Sequence, residues 1–138
     1  MPKILGLNLL GVLAGSVAFY LVGWLWYGVI FMDAWMAAMG VTEADMEAGG
    51  NHAIWMAGGF VITVLQVIGI GLVLKWKGVS SLSDAVKTVL ILWFFIALPF
   101  AHYGYLYGMA HSQTLLVVDA SHLLVGWVVS AVALSLIK

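Results

Sequence analysis

The sequence predicts an all-α fold, an integral membrane four-helix bundle, on the strength of its composition and the spacing of its charges. Of 138 residues, 64% are hydrophobic and 8% charged, with mean hydropathy +1.13. Soluble domains sit near half apolar and a quarter charged. The charges leave four runs, residues 4–31, 53–74, 88–107 and 115–137, each long enough for the ~20 helical residues that cross a hydrocarbon core. They occupy nearly the whole chain, so one four-span domain over residues 1–138 is expected. There is no cysteine, which removes disulfides and thiolate metal sites. All five basic residues are lysines and the net charge is −1, so no basic patch is available for nucleic acid.

The first span, Ile4 to Phe31, is longer than a bilayer needs, so it tilts or protrudes. Lys3 before an apolar run and the cleavage-like Ser16-Val17-Ala18 imitate a secretory signal. Reading from Met1, we expect the segment to be kept as a span, with Trp24, Trp26 and Tyr27 at its interfacial end.

The connector from Met32 to Asn51 carries Met32, Trp35, Met36 and Met39 at i, i+3, i+4, i+7, which gives a short helix one apolar face. Gly40 stops it. Thr42-Glu43-Ala44-Asp45 then opens a short acidic helix that Gly49-Gly50 ends. The connector is expected to lie on the membrane surface.

The third span is preceded by Ser81-Leu82-Ser83-Asp84, the pattern of a capping box. Near its far end, Pro99 lacks an N–H and crowds the preceding turn, so a kink is expected that leaves the Phe95 carbonyl without its usual partner.

Four crossings put Lys3, Lys75, Lys77, Lys87 and Lys138 on one side, and Asp33, Glu43, Asp45, Glu47 and Asp119 on the other, with Asp84 alone among the lysines. Short lysine-bearing loops stay cytoplasmic. Both termini are therefore expected inside, in a bacterial inner membrane.

Helices in lipid choose contact faces by small residues and by polar groups that need partners. At ~100° per residue, Asn8, Gly11, Gly15 and Ala18 share a face in the first span. His52, Trp55, Gly59, Thr63 and Gln66 do so in the second, and Asp119, His122, Gly126, Ser130 and Ala133 in the fourth. These strips are expected to face inward as packing seams, with Asn8 and Gln66 as interhelical hydrogen-bond partners. Gly11-x-x-x-Gly15 is alternatively a seam between copies of the chain, and self-association is expected of so small a bundle.

All four histidines, His52, His102, His111 and His122, fall on the outer side. His102 and His122 lie at matching depth, ~9 to 11 Å in from the surface at 1.5 Å per residue. Asp119, one turn above His122, is placed to hold its ring nitrogen. The histidines have three readings: structural hydrogen bonding at the kink; a metal site from His52, His102, His122 and Asp119 with His111, a set suited to zinc, copper or iron; and a haem between paired imidazoles. Lysines confined to the opposite side count against haem. A proton relay or pH sensor is the remaining histidine role.

No nucleophile elbow, phosphate loop, zinc-protease helix or nucleotide fingerprint occurs in the sequence. The reading is therefore a structural, accessory or self-associating membrane subunit without catalytic activity, whose partners are the bilayer and other membrane helices. No cofactor is expected, and a metal ion is the one candidate ligand weighed. The alternatives are an outer-face metal- or ligand-binding site around His102 and His122, and a component of a small-molecule transporter, which would need a polar cavity continuing past Gln66.

The segment "WLWYGVIFMDAWMAAMGVTEADME", Trp24 to Glu47, followed by "WMAGGFV" at Trp55 to Val61, resembles the bacterial membrane family termed domain of unknown function 1761. The resemblance rests on Asn8, the Trp26-Tyr27 pair, Trp35-Met36, Met39-Gly40 and Met56-Ala57, and it covers essentially the whole chain. Members often have a proline soon after the Trp-Tyr pair and a basic residue before the later tryptophan, where this chain has Val29 and Asp33. The resemblance implies a four-span fold and supplies no catalytic residues to carry over, since the family has no established activity.

Overall fold

The computed structural model describes residues 2–50 and 52–138, so Met1 and the connector's last residue, Asn51, lie outside the described residues. Long apolar runs in which every backbone polar group bonds within its own segment form spanning helices. Four helices meet the length and hydropathy of a membrane crossing: Leu9–Ile30, His52–Lys77, Leu82–Tyr107 and Gln113–Leu136. The protein is a multi-pass, all-α membrane protein.

The first crossing starts later than the expected Ile4. Strands β1 (Lys3–Ile4) and β2 (Leu7–Asn8) pair antiparallel, with Lys3 opposite Asn8 and Ile4 opposite Leu7. Leu5 and Gly6 take φ of 52° and 81°, the two left-handed residues of a tight hairpin turn. Asn8 then caps α1 (Leu9–Leu25), its side chain accepting from the Leu10 amide at 2.9 Å. That role replaces the interhelical bond expected of Asn8. The carboxamide oxygen is used by its own helix.

A π turn over Trp26–Ile30 continues α1 to the membrane edge. The connector holds α2 (Met32–Met39), ended by Gly40 at φ 70°, and α3 (Glu43–Glu47), opened by a reciprocal Thr42–Asp45 capping box. Met36 is the buried residue of α2, and α2 rests on the fourth crossing. The second crossing, α4 (His52–Lys77), and the third both run beyond their expected ends. The third comprises α5 (Leu82–Leu92), capped by Ser81, a π turn over Trp93–Ala97, and α6 (Leu98–Tyr107). The fourth is α7 (Gln113–Leu136), capped by Ser112.

Pro99 is accommodated one turn earlier than the expected kink. The Leu98 amide bonds back to the Trp93 carbonyl, five residues away, so the widened turn absorbs the missing proline donor. Pro99 itself is exposed, as is Phe95 at 70%.

α7 is the hub of the bundle, packed against α1, α5, α6, α4 and α2. Close approach of α1 and α7 depends on small residues. Gly15 faces the Ser130 backbone, and a Cβ on Gly11 would stand 2.6 Å from the Ile137 carbonyl oxygen. Ser16 and Ser130 are fully buried, each hydroxyl bonding at 2.7 Å to the carbonyl four residues back on its own helix. Their polarity is satisfied without a partner helix. The Gly11 and Gly15 seam therefore lies within the chain.

Two apolar clusters form the core. Leu7, Val12, Phe19 and Val67 join the hairpin, α1 and α4; Ile70, Leu74, Ala85, Val89 and Ala131 join α4, α5 and α7. Both lie mainly toward the lysine-bearing end. The N-terminal half of α4 is open, and His52 and Trp55, expected to face inward, are exposed, Trp55 by 70%. Only from Thr63 onward does that strip enter the bundle.

Candidate functional site

Polar groups within the crossings gather where α1, α4 and α7 diverge toward the end opposite the lysines. Phe19 and Gly23 on α1 and Tyr27 in the π turn that continues it follow at intervals of four and so share the face that meets α7. The π turn adds a residue there, and both Trp26 and Tyr27 reach α7: the indole donates to Ser121 Oγ at 2.9 Å and the phenol to Asp119 Oδ1 at 2.5 Å. The carboxylate at Asp119 is thus held by Tyr27, whereas the sequence assigned it to His122.

His122 stands one turn deeper. Its ring packs on Phe19, centroids 5.4 Å apart, and edge-on to Tyr27 at 5.1 Å. Nε2 points at α1 so closely that a Cβ on Gly23 would be 3.2 Å from it. Among the described residues, no hydrogen bond engages either ring nitrogen. The hydroxyls and the carboxamide nearby have partners: Tyr20 donates to the Met56 carbonyl at 3.2 Å, Thr63 to the Gly59 carbonyl at 2.8 Å, and Gln66 Oε1 accepts from Trp127 at 2.9 Å. Gln66 thereby ties α4 to α7.

His122 lines a crevice of about 310 Å³ between α1 and α4, whose walls are Phe19, Tyr20, Gly23, Gly59, Thr63 and Gln66 and whose rim is Trp24, Met56 and Ile62. The rim side chains are 58–60% exposed, so the crevice opens sideways toward lipid. Along α4 it ends at Gln66, and the cavity at the lysine end begins at Gly71; Val67 and Ile70, 0% and 4% exposed, separate them.

The other expected ligands are dispersed. His102 bonds to its own helix, Nδ1 to the Leu98 carbonyl at 2.7 Å, and rests edge-on to Tyr105. His111, at φ 45°, bonds to the Tyr105 carbonyl at 2.8 Å and shares with Asp119 a different cavity, of about 340 Å³. His52 is exposed at the start of α4. Among the described residues, no three His, Asp or Glu side chains gather as metal ligands. His102 and His122 share a depth in the sequence but serve different surroundings, because adjacent helices at one level need not turn the same faces to each other.

The family model for a protein of unknown function, DUF1761, matches residues 10–135. The chain belongs to DUF1761. No curated protein and no solved structure matches it. For this DUF1761 chain, the residues missed in the sequence are Phe19 and Gly23, which were given no role there, and Tyr27, which was placed only at the interfacial end of the first span. Their spacing of four, on the helix rich in small residues, was the available signal.

Proposed function

We propose that the protein is a membrane-embedded binding protein for a small hydrophobic molecule bearing one hydrogen-bonding group, held in the crevice beside His122. The observation that carries this reading is the imidazole itself. An ionisable side chain inside a membrane span is costly unless partnered, and here it meets an apolar, laterally open space with no hydrogen bond to its ring nitrogens among the described residues. A volume of about 310 Å³ lies at the lower end of small-molecule sites, which are apolar with a few polar groups that fix orientation.

The test is photo-crosslinking with a long-chain alcohol bearing a diazirine, in protein reconstituted in nanodiscs. Adducts are expected on Trp24, Met56 or Ile62, reduced in His122→Phe and in Gly59→Leu, which fills the crevice without touching the imidazole. Labelling spread evenly over all lipid-facing helices, and unchanged in both variants, refutes the site.

A bacterial inner-membrane location with both termini cytoplasmic belongs to this reading, supported by the lysines. Lys3, Lys75 and Lys138 line one cavity at one end of the bundle. The second reading is a self-associating or accessory subunit. It is favoured by Gly58 and Gly69 on α4, beside each of which a Cβ would meet nothing within 4 Å. Small residues on an open face permit another helix to approach closely. Cross-linking in membranes that yields only monomer rules it out.

A further inference from the structure

We propose that the cavity at the lysine end binds a phosphate group, presented by an anionic lipid. The cavity holds about 330 Å³ between the N-terminal hairpin, the end of α4 and the last turn of α7, and three lysines line it: Lys3, Lys75 and Lys138. No Asp or Glu side chain lines it. The hydrogen bonds of Lys75 and Lys138 go to backbone carbonyls, Leu5 at 3.4 Å and Ser80 at 2.7 Å, so their charge is not neutralised by an acid.

Helix dipoles do not set the sign here. The N-terminal ends of α1 and α5 and the C-terminal ends of α4 and α7 all meet at this cavity, and their partial charges oppose one another. The ammonium groups decide, and they select an anion.

One lysine is held in place. Lys75 Nζ occupies the space where a Cβ of Gly6 would be, and Gly6 at φ 81° forms the hairpin turn that covers it. The turn thus fixes a cation at the cavity wall before any ligand arrives. Asn8 and Ser135 add polar groups, while Leu7, Leu74 and Leu134 supply apolar walls. A basic rim over an apolar floor at the membrane boundary matches a phosphodiester headgroup and the start of its acyl chains, and basic pockets between spans on the cytoplasmic side recognise such lipids. A soluble phosphate would use the lysines but not the apolar floor, which is why the lipid is assigned as the source.

Native mass spectrometry of the delipidated full chain, titrated with phosphatidylglycerol, phosphatidylcholine or inorganic phosphate, tests this. Phosphatidylglycerol is expected to give the retained adduct, weakened about fivefold per lysine removed in Lys3→Gln, Lys75→Gln and Lys138→Gln, and restored by arginine at the same positions. Lys87→Gln, outside the cavity, is the control. Lys3→Gln does not disturb the Lys75 contact with the hairpin, so it remains informative if Lys75→Gln misfolds. Equal retention of the two lipids, or adducts indifferent to all three lysines, overturns the proposal. Saturation by inorganic phosphate without preference for phosphatidylglycerol overturns the lipid as the source.

Discussion

The ring of Phe19 lies directly over Gly126, occupying the volume in which any larger residue would place its Cβ. Phe19 is 1% exposed and Gly126 is buried. The pair brings α1 close against α7, and the Phe19 ring packs on His122. Gly126→Ala must therefore push the ring or the helices apart, at a cost of about 1–3 kcal/mol. Thermal unfolding in detergent should show the loss. Phe19→Leu combined with Gly126→Ala should cost less than the sum of the single changes, since the smaller side chain vacates the collision.

Gln66 and Trp127 form the hydrogen bond that joins α4 to α7. Membrane double-mutant cycles put such bonds at ~0.6 to 2 kcal/mol. Gln66→Leu and Trp127→Phe should each destabilise by that order, and the double variant should be non-additive, read from unfolding in bicelles. Full additivity would mean the contact contributes only as packing.

Asp45 reports on the connector. Hydrogen bonds from the Thr42 amide and hydroxyl hold its carboxyl below the usual carboxylate range. A depressed carboxyl contributes stability that is present above its unfolded pKa and lost as pH falls through its folded pKa. The α3 cap should thus persist at neutral pH and open in acid, below about pH 4. Amide exchange at Thr42 and Asp45 measured by NMR across that range checks it; Asp45→Asn should show weakened protection already at pH 7.

The absence of cysteine makes topology directly measurable. Single replacements Ser80→Cys and Ala48→Cys, both at exposed loop positions, report opposite ends of the bundle. An impermeant maleimide applied to intact cells should label position 48 and leave position 80 unlabelled until the membrane is opened. The reverse pattern would invert the assigned orientation.

What the sequence made legible was set by local physics. Gly40, Thr42 with Asp45, and Ser81 act within a few residues of themselves, so their stops and caps could be read directly. The small-residue strips at Gly11, Gly15, Gly126 and Ser130 were legible for the same reason that they pack, because small size is visible in the letters. The hairpin at Lys3–Asn8 was hidden because Ile4, Leu5 and Leu7 extend the apolar run, and only Gly6 interrupts it. For the histidines, helical periodicity ranks residues around one axis but says nothing of how two axes are rotated against each other. His122 therefore proved to face Phe19 and Gly23 instead of His102. Asp119 found Tyr27, whose spacing of four from Gly23 was visible in the letters but whose partner on the facing helix was not.

The position of α7 as hub has a biosynthetic consequence. α1, α5 and α6 find their principal partner in the crossing that is translated after all of them. Until the ribosome has delivered it, the first and third crossings lack their closest neighbour, while α4 already has its own in α1, and the glycine notches of α1 stay uncovered in the bilayer. Assembly is thus deferred to the insertion of α7, and a message truncated ahead of it would yield an orphan for membrane quality control to clear.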